Sequence, residues 1–311
     1  MDNKPTILGI DFNNMLFGSY YGAPLINSHG VNVNAIKGFF FKLKSLKDIF
    51  DPDYIVIAND VSRERTFRRK LYKPYKAQRK PHDPDVMRQL KYAAQLAALI
   101  GYPFINNETY EADDILGMIS RFANERGMDM IIASSDKDMY QLVTDQTFIF
   151  SPRGKDLVTK EWMKATYKLT PEQWIELKML QGDRSDNIPG IPGIGEVTAL
   201  QLMQQFGSID GIYSHLSYIK PGVRNLLEAG KDCLPLTREL VTIITDYTKI
   251  GLTEEMLKPK ERFEGEAMGL ISELEIYSLF NVMQYSLFQD KVTPAQQGGE
   301  EDVAGKDYPS I

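Results

Sequence analysis

At 311 residues the chain is long enough for one large domain or two ordinary ones, and its 43% hydrophobic and 25% charged content is that of a soluble globular protein. The single cysteine, Cys233, excludes an internal disulfide and suits a reducing, cytoplasmic setting. No run is apolar enough to span a membrane, and the short polar start before Thr6 has no signal-peptide pattern. A net charge of −6 argues on average against a polyanionic partner, yet the charge is unevenly spread.

Residues 6–10 form a short apolar run that ends at Asp11. A helical pattern follows over 35–50, then a second apolar run, 54–58, that ends at Asn59-Asp60. Residues 63–80 carry nine Lys or Arg against the single Glu64, interleaved with Phe67, Tyr72 and Tyr75. The plain reading of such a run is a solvated helix face, but Pro74 and Pro81 keep it from being one regular helix. Basic and aromatic residues together suit single-stranded nucleic acid, whose bases stack while its phosphates pair.

Helical patterns continue over 84–100 and 111–126, the latter opening on Glu111-Ala112-Asp113-Asp114. The run 129–133 leads into Ser134-Ser135-Asp136-Lys137-Asp138, and 147–150 is a further apolar run. These alternations predict an α/β fold with a mostly parallel sheet, whose ligands gather at the carboxyl ends of the strands. Asp11, Asp60 and Asp136 are therefore expected at one edge. From about 161 the pattern is helical throughout: 161–167, 171–181, 196–206, 208–216, 221–229 and 234–245. The tail from about 291 is polar, Gly-rich and expected to be disordered.

Nine carboxylates stand out: Asp11, Asp60, Glu111, Asp113, Asp114, Asp136, Asp138, Asp183 and Asp186. Acids at a helix start or in a turn serve as caps, which explains one or two of them. Three in four positions, followed by an Asp-x-Asp after the next strand, need a cation to offset their repulsion. All-oxygen ligation without nearby Cys or His points to a hard cation, Mg2+ or Mn2+. His29, His82 and His215 have no metal-ligand spacing, and Cys233 reads as structural. Gly193-Ile194-Gly195 opens into a helix, with Ala199 five residues past Ile194. This is the helix-hairpin-helix pattern, whose exposed amides meet phosphate oxygens of the DNA backbone.

Tyr110-Glu111-Ala112-Asp113-Asp114, Asp136-Lys137-Asp138-Met139-Tyr140-Gln141-Leu142, residues 182–190, residues 193–199 and Tyr75-Lys76-Ala77-Gln78-Arg79 together resemble the 5′-nuclease (flap endonuclease) family. The likeness is in particular to the 5′→3′ exonuclease domain of bacterial DNA polymerase I and its stand-alone phage counterparts, and covers roughly residues 6–290. No polymerase domain is expected to follow.

The resemblance implies a PIN-like nuclease domain over 1–180 with a helical arch over about 63–83. A helical helix-hairpin-helix (H3TH) domain over 181–290 and the tail 291–311 would follow. It implies Asp11, Asp60, Glu111, Asp113 and Asp114 around a first Mg2+, and Asp136, Asp138, Asp183 and Asp186 serving a second, some through water. Lys76, Arg79 and Arg68 would contact the scissile phosphate, and Tyr75 would stack on the terminal base. Arg69, Lys70, Lys73 and Lys80 would follow the strand. Gly193, Ile194, Gly195 and Thr198 would hold the duplex, in this family often with a bound K+. The partner would be DNA with a 5′ flap, nick or free 5′ end, and the protein a monomer in a bacterial cell or phage-infected host.

Three departures touch DNA grip rather than the acids: Phe12 where the family has Gly, Gly18 where it has a basic residue, and Val197 where it has Lys. Gln284, Leu287 and Phe288 lie in a short motif resembling those that bind the bacterial sliding clamp. The plain alternative is the last turn of a helix. Two other classes come into view. A non-catalytic junction-binding protein is disfavoured by the complete acid set. A haloacid-dehalogenase-type phosphatase would need an acid at position 13, which is Asn13.

Overall fold

A computed structural model of the chain describes residues 4–280, apart from 153 and 155. The expected tail and the Gln284, Leu287 and Phe288 motif lie outside these residues. β1 (Thr6–Asp11), β2 (Tyr54–Ala58), β3 (Phe104–Ile105), β4 (Asp129–Ala133), β5 (Thr147–Phe150) and β6 (Leu157–Val158) form one sheet in the order β3-β2-β1-β4-β5-β6. All neighbours run parallel except β5 and β6. The order reverses between β1 and β4, the place where an open α/β sheet forms its ligand crevice.

The central strands β1, β2 and β4 are buried on both faces, which explains their continuous apolar sequence. Ile7, Val56, Met130, Ile132 and Ile149 face the layer that holds α5 (Ala112–Asn124). Leu8, Ile10, Ile55, Ile57 and Ile131 face α1 (Phe12–Tyr20), α2 (Asn34–Phe50) and α4 (Pro84–Ile100). Burial of one such side chain contributes about 1.5–3 kcal/mol. At Gly9 a Cβ would stand 2.6 Å from Met130 Cε and 2.8 Å from Leu116 Cδ2, so its absence brings α5 down onto β1.

Helix α1 is absent from the expectation, because Asn13, Asn14 and Gly18 break its periodicity. It forms because Asp11 caps it, its side chain accepting from Asn14 N at 3.1 Å. Phe12 is fully buried, with ring centroids 5.1 Å from Phe39 and 5.0 Å from Phe104. A large apolar residue here serves the core.

The basic segment holds only one short helix, α3 (Phe67–Leu71), before Pro74. Beyond the sheet come α6 (Lys160–Tyr167), α7 (Pro171–Gln181), α8 (Glu196–Phe206), α9 (Ile209–Ser214), α10 (Pro221–Gly230) and α11 (Leu234–Val241). Trp174 on α7 packs with ring centroids 5.1 Å from Tyr140 and 4.9 Å from Tyr167, so the sheet layer and the helices share one core. Helix α11 stops at Val241 rather than 245, since Val241-Thr242-Ile243-Ile244-Thr245 is a run of β-branched residues. Helix α12 (Glu264–Glu273) returns to the first region, where Ala267, Leu270 and Ile271 join the core under α2 and α4. Among the described residues no helix is long and apolar enough to cross a membrane.

The turn between α7 and α8 is tight. Gly182 has φ +68°, and a Cβ on Gly190 would lie 2.3 Å from Gln181 C and Gly182 N. Those neighbours are backbone and cannot rotate away. Gly190→Ala is expected to lower stability by about 2–3 kcal/mol, measured by urea unfolding.

Candidate functional site

The carboxyl edge of the sheet collects the acids by short side-chain bonds. Asp11, at the end of β1, accepts from Ser134 Oγ at 2.8 Å, and that oxygen accepts from Asp136 N at 3.1 Å. Asp60, two residues past β2, accepts from Asn13 Nδ2 at 2.8 Å and from Ala112 N, the first amide of α5, at 2.9 Å. Glu111 caps α5 in a capping box with Asp114. Carboxylate oxygens of Glu111, Asp113 and Asp114 lie within 4.8 Å of one another.

The loop 183–187 brings the last two acids to this edge. Lys178, on α7, bridges Asp138 at 2.7 Å and Asp183 at 2.6 Å. Lys76 bridges Glu111 at 2.7 Å and Asp186 at 3.4 Å, and Arg79 pairs with Asp186. The expected carboxylates therefore gather along one edge, where Lys178, Lys76 and Arg79 pair with four of them, Asp138, Asp183, Glu111 and Asp186.

Arg68 corrects an expectation. It is 2% exposed, so its guanidinium does not face an incoming phosphate. Its Nε donates to Leu240 O at 2.8 Å, and Nη1 donates to Glu111 Oε2 at 3.0 Å and Asp114 Oδ2 at 2.7 Å. Nη2 donates to Asp114 Oδ1 at 2.9 Å and Thr242 O at 3.0 Å. Every N–H of the fork is used.

Asp114 is corrected with it. Its Oδ1 also accepts from Ile244 N at 2.9 Å and its Oδ2 from Glu111 N at 3.2 Å. Close as it lies to Glu111 and Asp113, no lone pair of this fully buried carboxylate is open to a metal. Tyr75 is a third correction. It is 2% exposed, and its hydroxyl shares its one proton between Glu111 at 2.9 Å and Asp186 at 3.2 Å, so its ring is not presented to a base.

Of the expected DNA-contact residues, Lys70, Lys73 and Lys80 are exposed, while Arg69 turns inward to Tyr75 O at 3.1 Å. Gly193 and Gly195 are exposed at the hairpin, with Ile194 buried beneath and Thr198 half-buried in the first turn of α8. Val197 beside it is 71% exposed.

Lys178, Ser134, Asn13 and Asn14 were not singled out from the sequence. The signal for Lys178 was a cation one turn after Trp174, on the buried face of α7. The small polar residues gave none, because Ser and Asn near strand ends are common in turns.

The electrostatics separate the acids into two groups. Burial, then the neighbouring Asp60, pushes Asp11 up to about 7. Burial and Asp136 push Asp138 up to about 6, and burial with Asp114 holds Asp113 well above the carboxylate range. Burial would also raise Glu111, but Lys76 and Arg68 outweigh it and hold it low; Lys178 does the same for Asp183. Burial alone would lower Arg68, and Asp114, Asp113 and Glu111 hold it well above its usual value. An all-oxygen donor set with negative charge left over fits a hard divalent cation. Glu111 and Asp113, whose carboxylate oxygens lie within 4.8 Å of each other, could hold one such ion.

Arg68→Ala strands a buried carboxylate and is expected to cost about 3–5 kcal/mol in urea unfolding. A second expectation concerns pH. Asp11 and Asp138 bind protons more tightly folded than unfolded, so the stability they confer is complete below the unfolded carboxylate pKa. It is lost as pH rises through about 6 to 7. Glu111 and Asp183, held low, act in the opposite sense and only at lower pH. The metal-free Tm should fall between about pH 5 and pH 8, and Mg2+ should raise it more at the upper end.

The chain matches the family description "5′-3′ exonuclease, N-terminal resolvase-like domain" over residues 6–168, and "5′-3′ exonuclease, C-terminal SAM fold" over 169–263. It is 36% identical over 263 residues to a 5′-3′ exonuclease of Halalkalibacterium halodurans, covering 80% of this chain and 87% of that protein. It is 37% identical over 245 residues to the thermostable DNA polymerase I of Thermus thermophilus, covering 78% of this chain but 29% of that enzyme. The chain thus spans about a third of the length of such DNA polymerase I relatives. The T5 5′-exonuclease with bound zinc superposes with a TM-score of 0.67 at 20% identity, over 86% of this chain and 98% of that one. The catalytic core of Rad2 with DNA substrate gives 0.58 at 15% identity, over 92% and 93%. At these identities the two likenesses are of fold.

Proposed function

Because the chain belongs to the 5′-3′ exonuclease family, and is a nuclease on that ground, we propose that it acts on DNA as a structure-selective 5′→3′ exonuclease and 5′-flap endonuclease. It would remove RNA primers or flaps in replication and repair, leaving a 5′-phosphate and a 3′-hydroxyl. The observation that carries this reading is the meeting of carboxylates from β1, β2, α5, β4 and the α7–α8 loop beneath a basic segment. An acidic pocket beside exposed cations is what metal-dependent chemistry on a polyanion requires.

Two divalent ions, Mg2+ or Mn2+, held by these acids would supply an activated water and charge stabilisation for in-line displacement at phosphorus. The chain's own residues orient and hold. Ser134 and the Asn14 amide fix the Asp11 carboxylate, and Asn13 with the Ala112 amide fixes Asp60. Lys178 keeps Asp138 and Asp183 together across two elements. Lys76 and Arg79 stand at the rim on Asp186, where an entering phosphate can exchange with that carboxylate and take both cations. Lys70, Lys73 and Lys80 would track a single strand leaving the pocket. The exposed amides of Gly193 and Gly195, at the uncapped start of α8, would take duplex phosphates, with K+ assisting.

The test uses a 5′-flap DNA labelled on the flap, with Mg2+, Mn2+ or chelator, on the parent protein and Asp136→Ala. Metal-dependent cutting near the junction is expected, falling about 100-fold or more in the variant. Junction binding without cutting in either metal would overturn the reading in favour of a non-catalytic DNA-binding protein.

A further inference from the structure

The stretch 74–79 and the loop 183–187 are joined by more than charge. Asn187 Nδ2 donates to Pro74 O at 2.8 Å. Gln78 Nε2 donates to Arg184 O at 3.0 Å and to Ser185 O at 3.1 Å. Lys76 N donates to Asp186 O at 2.7 Å, and Arg79 Nε to Ser185 O at 3.2 Å. From behind, Arg63 donates to the carbonyls of Lys76 and Arg79, both at 2.8 Å. Two loops more than 100 residues apart in sequence are zipped main chain to side chain.

Both strands of this zip are held in unusual backbone. Lys76 has φ +51° and Asn187 has φ +56°. Asn tolerates the left-handed region, and Lys does so only where surrounding contacts over-determine it. Lys76 is held there by the Asp186 carbonyl on its N–H and by Arg63 on its own carbonyl. That left-handed turn is also what sends the Lys76 amine back to Glu111 and Asp186 instead of outward to solvent.

We propose that Gln78 and Asn187 are positioning residues: they latch the basic segment to the 183–187 loop, so that Lys76 and Arg79 meet the carboxylate edge at one fixed height. Neither side chain carries charge, and neither touches a candidate metal ligand's carboxylate. Their effect runs through the backbone that carries Lys76 and Arg79. The catalytic half of the inference rests on the nuclease reading above; the latch itself does not.

Two variants separate the bonds from the backbone. Asn187→Gly keeps the left-handed conformation open and removes only the donor to Pro74. Gln78→Glu keeps size and sets a carboxylate against two carbonyls on the exposed surface. The first readout needs neither metal nor DNA: trypsin nicking within the Lys- and Arg-rich stretch 63–80 of the full chain. Each variant should be nicked about fivefold faster than the parent, with Tm little changed. The second readout is flap cleavage in Mg2+ or Mn2+. kcat should fall about fivefold with KM within about twofold, and the double variant should lose little more than either single, because both open one latch. Gln78→His, which restores an N–H donor without adding a trypsin site, should recover both readouts.

Unchanged nicking in both variants overturns the latch whatever happens to cleavage. Faster nicking with a change confined to KM overturns the positioning role and makes these residues strand-binding ones. If the parent does not cut flap DNA in either metal, the nuclease reading fails, while the nicking result still decides the latch.

Discussion

A buried guanidinium organises this molecule. Arg68 reaches from the basic segment through the edge of α5 to the carbonyls of Leu240 and Thr242, and each of its N–H groups has a partner. Asp114 answers with all its lone pairs, one of them on Ile244 N. Three parts of the chain that are remote in sequence are pinned at one point. Taking an ion pair out of water is costly, and only complete hydrogen bonding makes it tolerable. The pair is therefore best understood as a specifier of geometry: it sets the first turn of α5, and with it Glu111 and Asp113.

The rest of the site follows the same logic. A crowd of carboxylates on one sheet edge is unstable alone, so the fold supplies Lys76, Arg79 and Lys178 as internal counter-ions. The cations are shared across loops, so they also cross-link the sheet to the helical region. Burial opposes charge on Asp11, Asp113 and Asp138, so these three hold protons more tightly than ordinary carboxylates. A bound cation would offset that cost, since it favours the charged form of each carboxylate.

Several features are legible in the amino-acid sequence itself. The strand ends at Asp11, Asp60 and Asp136, the acid-rich start of α5 and the glycine hairpin each announce themselves within a few residues. Apolar runs and caps are local signals. The features that are not legible there depend on partners far away. Arg68 and Asp114 look like a phosphate ligand and a metal ligand until α11 and the segment after it pack over them. Tyr75 looks like a stacking aromatic until its hydroxyl finds Glu111. Lys178 looks like any helix lysine, and becomes part of the site only because α7 lies against the turn that holds Asp138.

The amino-acid sequence alone specified the α/β order, the parallel sheet with its acidic edge, the helical second region and the nuclease family. Those properties are written in short-range periodicity and in motifs whose spacing is covalent. Only the tertiary structure decided which charged groups are open and which are spent on one another. That outcome depends on burial and on which oxygen each cation reaches, and burial is a property of the assembled layers that no local pattern records.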